Sequence, residues 1–195
     1  MVTQTFDFFY DFGSPYTYLV HKRVPDIAAR TGTTAVYKPM LLGGVFKATG
    51  NMSPVHVPLK LAYQTADIAR FVQHHGLSYL QNPHFPVMTI TLMRGAIFAT
   101  GKSYEKTYID AVFDAMWIEG RKMDDPATIF EVLSSAGLPA AEIISGTQEP
   151  QIKSALIAAT QDAVDRGVFG APTLFVGGEM FLGKDALPDL ERALV

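Results

Sequence analysis

Aromatic and acidic residues crowd the start of the chain. Thr5, Phe6, Asp7, Phe8, Phe9, Tyr10, Asp11 and Phe12 predict a strand with apolar contacts on both faces, and Gly13-Ser14-Pro15 stops it. Over 16–30 the apolar positions Tyr16, Leu19, Val20, Ile27 and Ala28 fall on one face of a helix, in which Pro25 predicts a kink or a restart. The β-branched run Thr33-Thr34-Ala35-Val36-Tyr37-Lys38-Pro39 predicts a second strand. A helix of crossover length separates the two strands, so they can lie parallel in a βαβ unit.

From about 41 to 165 strand signals almost vanish, and helical patterns run over 59–75, 88–101, 104–119 and 127–136. Trp117, Phe113 and Tyr108 are expected in the core of this block, or lining an aromatic pocket beside it. Strand character returns in Thr173-Leu174-Phe175-Val176, a Gly177-Gly178 turn and Glu179-Met180-Phe181-Leu182, followed by a closing helix from Asp185. The order βαβ, helical block, ββα predicts an α/β fold in which the two ends of the chain complete one sheet around a helical insertion. The expected boundaries are 1–44 and 166–195 for the sheet-bearing part and 45–165 for the insertion.

Composition narrows this picture. At 195 residues and 48% hydrophobic, the chain can bury one substantial core. A formal net charge of -3 offers no broad basic surface for nucleic acid. Met1-Val2-Thr3-Gln4-Thr5 lacks the basic start and apolar run of a secretory leader, and no later stretch has the length of a bilayer span, so a cytoplasmic protein is expected. There is no cysteine. Structural disulfides, thiolate metal sites and a protein thiol nucleophile are therefore excluded, and any reactive sulfur must come from a small thiol.

Two places carry candidate chemistry. Ser14 stands before Pro15 at a helix start, where its hydroxyl can simply cap the helix; the same helix N-terminus favours an anion or a thiolate beside that hydroxyl. Both roles are compatible. In Val168-Phe169-Gly170-Ala171-Pro172-Thr173-Leu174, Pro172 either makes a plain strand entry or follows a cis bond that turns the N–H and C=O of Ala171 toward an extended, peptide-like ligand. The histidines His21, His56, His74, His75 and His84 show no metal-ligand spacing and no triad context, so no metal is assigned.

The element order, with a reactive position at the first helix and a proline before the third strand, resembles the thioredoxin fold in its DsbA-like form. Ser14-Pro15-Tyr16-Thr17 stands where redox members carry Cys-x-x-Cys, so disulfide exchange is not available. The Ser-Pro variant resembles the 2-hydroxychromene-2-carboxylate isomerases and the kappa-class glutathione transferases. Asp11-Phe12-Gly13-Ser14-Pro15-Tyr16, the run from Leu41 to Asn51, Asn82-Pro83-His84-Phe85-Pro86 and the run from Gly167 to Thr173 carry that resemblance together, in order.

The resemblance implies glutathione as cofactor and Ser14 as the catalytic residue. Ala171 and Pro172 would meet the cysteinyl backbone, Leu182, Gly183, Lys184 and Asp185 the γ-glutamyl end, and Asn51 and Lys60 would lie near the tripeptide. Lys47 would face a small aromatic carboxylate substrate. A homodimer is also implied, as is a place in bacterial aromatic degradation. Met88 stands where relatives often have Asn, and Ala186 where kappa relatives have Arg, which bears on the acceptor pocket and on the last glutathione contact. The implied activity is glutathione-dependent isomerisation of an aromatic pyruvate-type acid; a kappa-type transferase, or a binding module without catalysis, are the alternatives. Asp185, after a glycine, is also expected to cap the closing helix.

Overall fold

The structure, a computed structural model, describes residues 4–195; Met1 to Thr3, part of the stretch read above for a leader, lie outside them. Four strands form one sheet in the order β2-β1-β3-β4. Strand β1 (Thr5–Tyr10) runs parallel to β2 (Thr34–Pro39), pairing Thr5 with Thr34 through to Tyr10 with Pro39. Strands β3 (Thr173–Val176) and β4 (Glu179–Leu182) form the antiparallel hairpin, and β3 closes against β1, with Phe8 opposite Leu174. Residues 11 and 12, read above as strand, leave the sheet because Asp11 turns its carboxylate back onto the following backbone.

Helix α1 (Pro15–Thr31) links β1 to β2 and passes Pro25 as a single element, so of the kink or restart expected there the restart does not occur. The helical block comprises α2 (Leu42–Thr49), α3 (Pro58–His75), α4 (Ile90–Ala99), α5 (Glu105–Trp117), α6 (Pro126–Ser135), α7 (Ala140–Gly146) and α8 (Pro150–Asp165). Four of these match the predicted spans within a few residues. After β4 a 3-10 turn (Lys184–Ala186) precedes α9 (Leu187–Ala193), so the closing helix starts later than expected. No helix among the described residues is long and apolar enough to cross a membrane.

The two-residue period of β1 feeds two cores. Phe6, Phe8 and Tyr10 join Tyr18 and Leu19 of α1 and Phe113 and Trp117 of α5 in the larger one. Phe9 faces the other way, against Met40, Val45, Val168 and Phe175. Phe12 and Phe113 meet edge to face with centroids 4.7 Å apart, so α5 packs directly onto the turn that carries Ser14. Trp117 is fully buried and its Nε1–H donates to the Phe12 carbonyl at 2.8 Å. Burying one such aromatic contributes about 1.5–3 kcal/mol, and here it also fixes the backbone two residues before Ser14.

Candidate active site

Ser14 is built from its backbone outward. Asp11, 2% exposed, accepts the Gly13 N–H through Oδ1 and the Leu42 N–H through Oδ2, both at 2.8 Å, and its own carbonyl accepts the Ser14 N–H at 3.2 Å. One buried carboxylate thus ties the β1–α1 turn to the start of α2. Burial pushes the Asp11 pKa up, against the pull of the Gly13 and Leu42 amides and the Thr89 hydroxyl. Space at Gly13 is tight: a Cβ there would stand 3.2 Å from the Thr89 methyl and 3.3 Å from Asp11 Oδ1, so these side chains would have to give slightly.

Held this way, Ser14 is the N-cap of α1, with Pro15 following. Its Oγ accepts the Thr17 N–H and donates to the Ala171 carbonyl, each at 3.2 Å, and the residue is 6% exposed. The Ala171–Pro172 bond is cis, as is Phe85–Pro86. The Pro172 carbonyl is used by the Gly183 N–H at 2.9 Å, while the Ala171 N–H has no hydrogen-bond partner among the described residues. Ser14 and Ala171, separated by most of the chain, therefore face each other across the end of the sheet.

Gly183 has φ +80, a left-handed conformation suited to glycine, and it turns the chain so that Lys184 points inward. Lys184 is 5% exposed. Its ammonium meets Asp67 at 2.9 Å and Asp185 at 2.6 Å, above the rings of Tyr16 and Phe71. Asp67 also accepts the Tyr16 hydroxyl at 2.9 Å. Burial alone would raise its pKa, but Lys184, Tyr16 and Arg70 together hold it below the ordinary carboxylate value. The expected cap at Asp185 is corrected here. The N-cap of the 3-10 turn is Gly183 and that of α9 is Ala186, because the Asp185 carboxylate takes the stronger charge-assisted bond from Lys184. That carboxylate remains 85% exposed.

The other expected residues form a rim. Asn51 spends its amide on the chain, donating to the Phe169 carbonyl at 2.7 Å and accepting the Met52 N–H at 2.8 Å. Lys60 lines a pocket of about 320 Å³ with Tyr16, Pro54, Leu59, Tyr63 and Gln64, which places it next to the α1 start. Lys47 is exposed on α2, without a carboxylate partner and without a hydrogen bond to Ser14 among the described residues. Leu182 is 40% exposed at the end of β4. Met52, Leu59, Tyr63, Met88 and Phe169 are also large, apolar and exposed around these segments. Sequence reasoning missed Asp11, Asp67 and the Trp117 bond. Asp11 carried a signal, since an acid two residues before a glycine at a strand end is an Asx-turn pattern; Asp67 carried none.

A buried Ser at a helix start facing the backbone before a cis proline, on a β2-β1-β3-β4 sheet with a helical block, defines a thioredoxin-type domain. The model of the DsbA-like thioredoxin domain matches residues 5–195. A 2-hydroxychromene-2-carboxylate isomerase of Pseudomonas putida is 30% identical over 96% of this chain and 93% of its own, and one of Sphingobium xenophagum is 29% identical over the full length of both. Human glutathione S-transferase kappa 1 is 26% identical over 98% of this chain and 91% of its own. A solved 2-hydroxychromene-2-carboxylate isomerase superposes with a TM-score of 0.89 at 28% identity, covering 98% of this chain and 94% of that one. The chain belongs to the DsbA-like thioredoxin-domain family and, within it, to the 2-hydroxychromene-2-carboxylate isomerase family. These relatives support an isomerase-like enzyme, with the kappa transferases as kin.

Proposed function

We propose that this protein is a glutathione-dependent isomerase of an aromatic pyruvate-type acid, interconverting 2-hydroxychromene-2-carboxylate and trans-o-hydroxybenzylidenepyruvate. The observation that carries the reading is the Ser14 hydroxyl at the N-terminus of α1, 3.2 Å from the Ala171 carbonyl. Glutathione, when bound, supplies a thiolate that adds to an electron-poor carbon, lets the former double bond rotate, and leaves again unchanged.

The residues present fit that tripeptide. Among the described residues Ala171 offers an N–H without a partner and a carbonyl whose only side-chain bond is the long one from Ser14, so an extended peptide can pair with both. A peptide pairing with that carbonyl would free the Ser14 hydroxyl, which now donates to it, to donate to a thiolate at the start of α1 instead. The exposed Asp185 carboxylate suits an ammonium group, and Lys60 suits a carboxylate. Lys184 and Asn51 act one step back, Lys184 by holding Asp67 and Tyr16 and Asn51 by fixing the loop before Ala171.

Magnitudes are sufficient. Lowering a thiol from about 8.5 by about two units needs roughly 2.7 kcal/mol of preference for the thiolate. A hydroxyl bond to an anion gives about 1.5–3 kcal/mol and a helix N-terminus about 0.3–1 more. The exposed apolar residues Met52, Leu59, Tyr63 and Met88 suit a flat aromatic acceptor. Following 2-hydroxychromene-2-carboxylate by ultraviolet absorbance, with and without glutathione, tests the reading: conversion is expected only with glutathione. Conversion that ignores glutathione overturns it, and accumulation of a glutathione conjugate assigns the protein to the transferases.

A further inference from the structure

Most of the Lys and Arg side chains of this protein pair with a carboxylate; among the described residues Lys47, Lys60, Arg94 and Lys153 do not. Two of the four share one cleft. Arg94 on α4 and Lys153 on α8 line a space of about 270 Å³ between α2, α4 and α8, whose walls include Leu41, Ile90, Leu156 and Ile157. Among the described residues no acidic one lines it. Ser14, Ala171 and Lys60 are not part of it.

Arg94 is the informative member. Its Nε is buried yet meets no acceptor among the described residues. A buried donor left unmatched costs about 1–3 kcal/mol, more when charged, and Nε is one of the prongs with which a guanidinium grips a carboxylate bidentately. With Lys153 on the same cleft and no acid in the lining, the chain concentrates positive charge there without neutralising it.

The chemistry of the walls narrows the ligand. A phosphate would be drawn to the free amides at the start of α2, but Leu41 N–H is taken by Thr160 Oγ1 at 3.0 Å and Leu42 N–H by Asp11 at 2.8 Å. What remains is a pair of cations on largely apolar walls, since the lining's other polar side chains, Thr160 and Gln161, donate to Leu156 and Asp165. We infer that the Arg94–Lys153 cleft is a binding site for a small organic acid, a single carboxylate on a flat apolar body. It is separate from the Ser14 site. It abuts it through Leu41 and Ile90: Leu42, next to Leu41, donates its N–H to Asp11, and Thr89, next to Ile90, lies against Gly13.

This inference stands without the isomerase reading, and its test has no activity readout. Sodium benzoate is titrated calorimetrically into the full chain, beside benzamide, which has the same ring and no charge. Saturable benzoate binding is expected, with benzamide at least tenfold weaker. Arg94→Gln is expected to weaken benzoate at least tenfold and Lys153→Gln, which removes a point charge rather than a bidentate fork, about threefold. Absence of saturable benzoate binding overturns the inference, as does equal binding of benzamide. Benzoate affinity unchanged in both variants, each checked for folding by circular dichroism, also overturns it, because the acid then sits elsewhere.

Discussion

The Ser14 turn and the α2–α3 rim, a few residues apart in space through Tyr16, follow opposite rules. At the turn the main polar groups find partners within the chain: Asp11 holds Gly13 and Leu42, Ser14 holds Thr17 N–H and Ala171, and Asp67, reaching in from α3, holds Tyr16 and Lys184, while the buried Thr17 hydroxyl and the Ala171 N–H have no partner among the described residues. On the rim, Lys47 and Lys60 have no carboxylate partner among the described residues and Leu59 is 84% exposed. Burial explains the contrast, because an orphaned polar group inside costs far more than one in water. The turn is therefore a fixed tool, and the rim is a surface whose partners come with the ligand.

The comparison breaks most sharply at Asp11. Replacing it with Ala leaves the Gly13 and Leu42 amides without an acceptor, and at about 1–3 kcal/mol for each such orphan a loss of about 3 kcal/mol is expected in urea unfolding. A loss under about 1 kcal/mol would mean that water reaches the turn and that its order is not set by this carboxylate. Next in size is Ser14→Ala. The cap is worth about 1 kcal/mol of stability, whereas the rate of glutathione-dependent isomerisation is expected to fall about 100-fold, the range seen when one donor to a reacting anion is removed. If stability falls but the rate does not, Ser14 is a helix cap and nothing more.

The sequence could announce the tool better than its supports. Strands β1 to β4 stand within a residue or two of their expected spans because aromatic and β-branched runs bounded by Gly and Pro leave few alternatives. Ser14-Pro15 marked its own helix start, and its dual reading followed from local chemistry. Helices α2 and α8 were harder: α2 carries Gly43 and Gly44, and α8 spreads Ala, Thr and Gln over its faces with few large apolar residues. Asp185 was misplaced and Asp67 unseen for one reason. Their shared partner, Lys184, becomes a buried cation only when α3 and the 3-10 turn meet, and no local pattern encodes that meeting.

That meeting supplies the third test. Asp67→Asn leaves the Lys184 ammonium, 5% exposed, with Asp185 alone, and a loss of about 2 kcal/mol at pH 7 is expected. The pH dependence carries a definite sign. Because the folded protein holds the Asp67 pKa below its unfolded value near 3.9, the stabilisation is fully present above that value and drains away as pH falls through the folded one. In unfolding curves between pH 7 and pH 2.5, the gap between wild type and Asp67→Asn should therefore narrow toward the acid end. A constant gap would place the variant's cost in packing rather than charge.

The smallest effect on the fold is expected on the rim, and there the contrast is sharpest for function. Lys60 is exposed beside Tyr16, so Lys60→Gln should change stability by less than about 0.5 kcal/mol. If the ligand brings the missing carboxylate, the KM for glutathione should rise several-fold in this variant with kcat unchanged, the signature of lost binding that is equal in ground and transition states. The same charge pairing is open to water, so raising the salt should lift the wild-type KM toward that of Lys60→Gln while leaving the variant nearly constant. A KM that ignores both the substitution and the salt would show that Lys60 is a solvated lysine on a helix end, and that recognition is confined to the backbone of Ala171 and the carboxylate of Asp185.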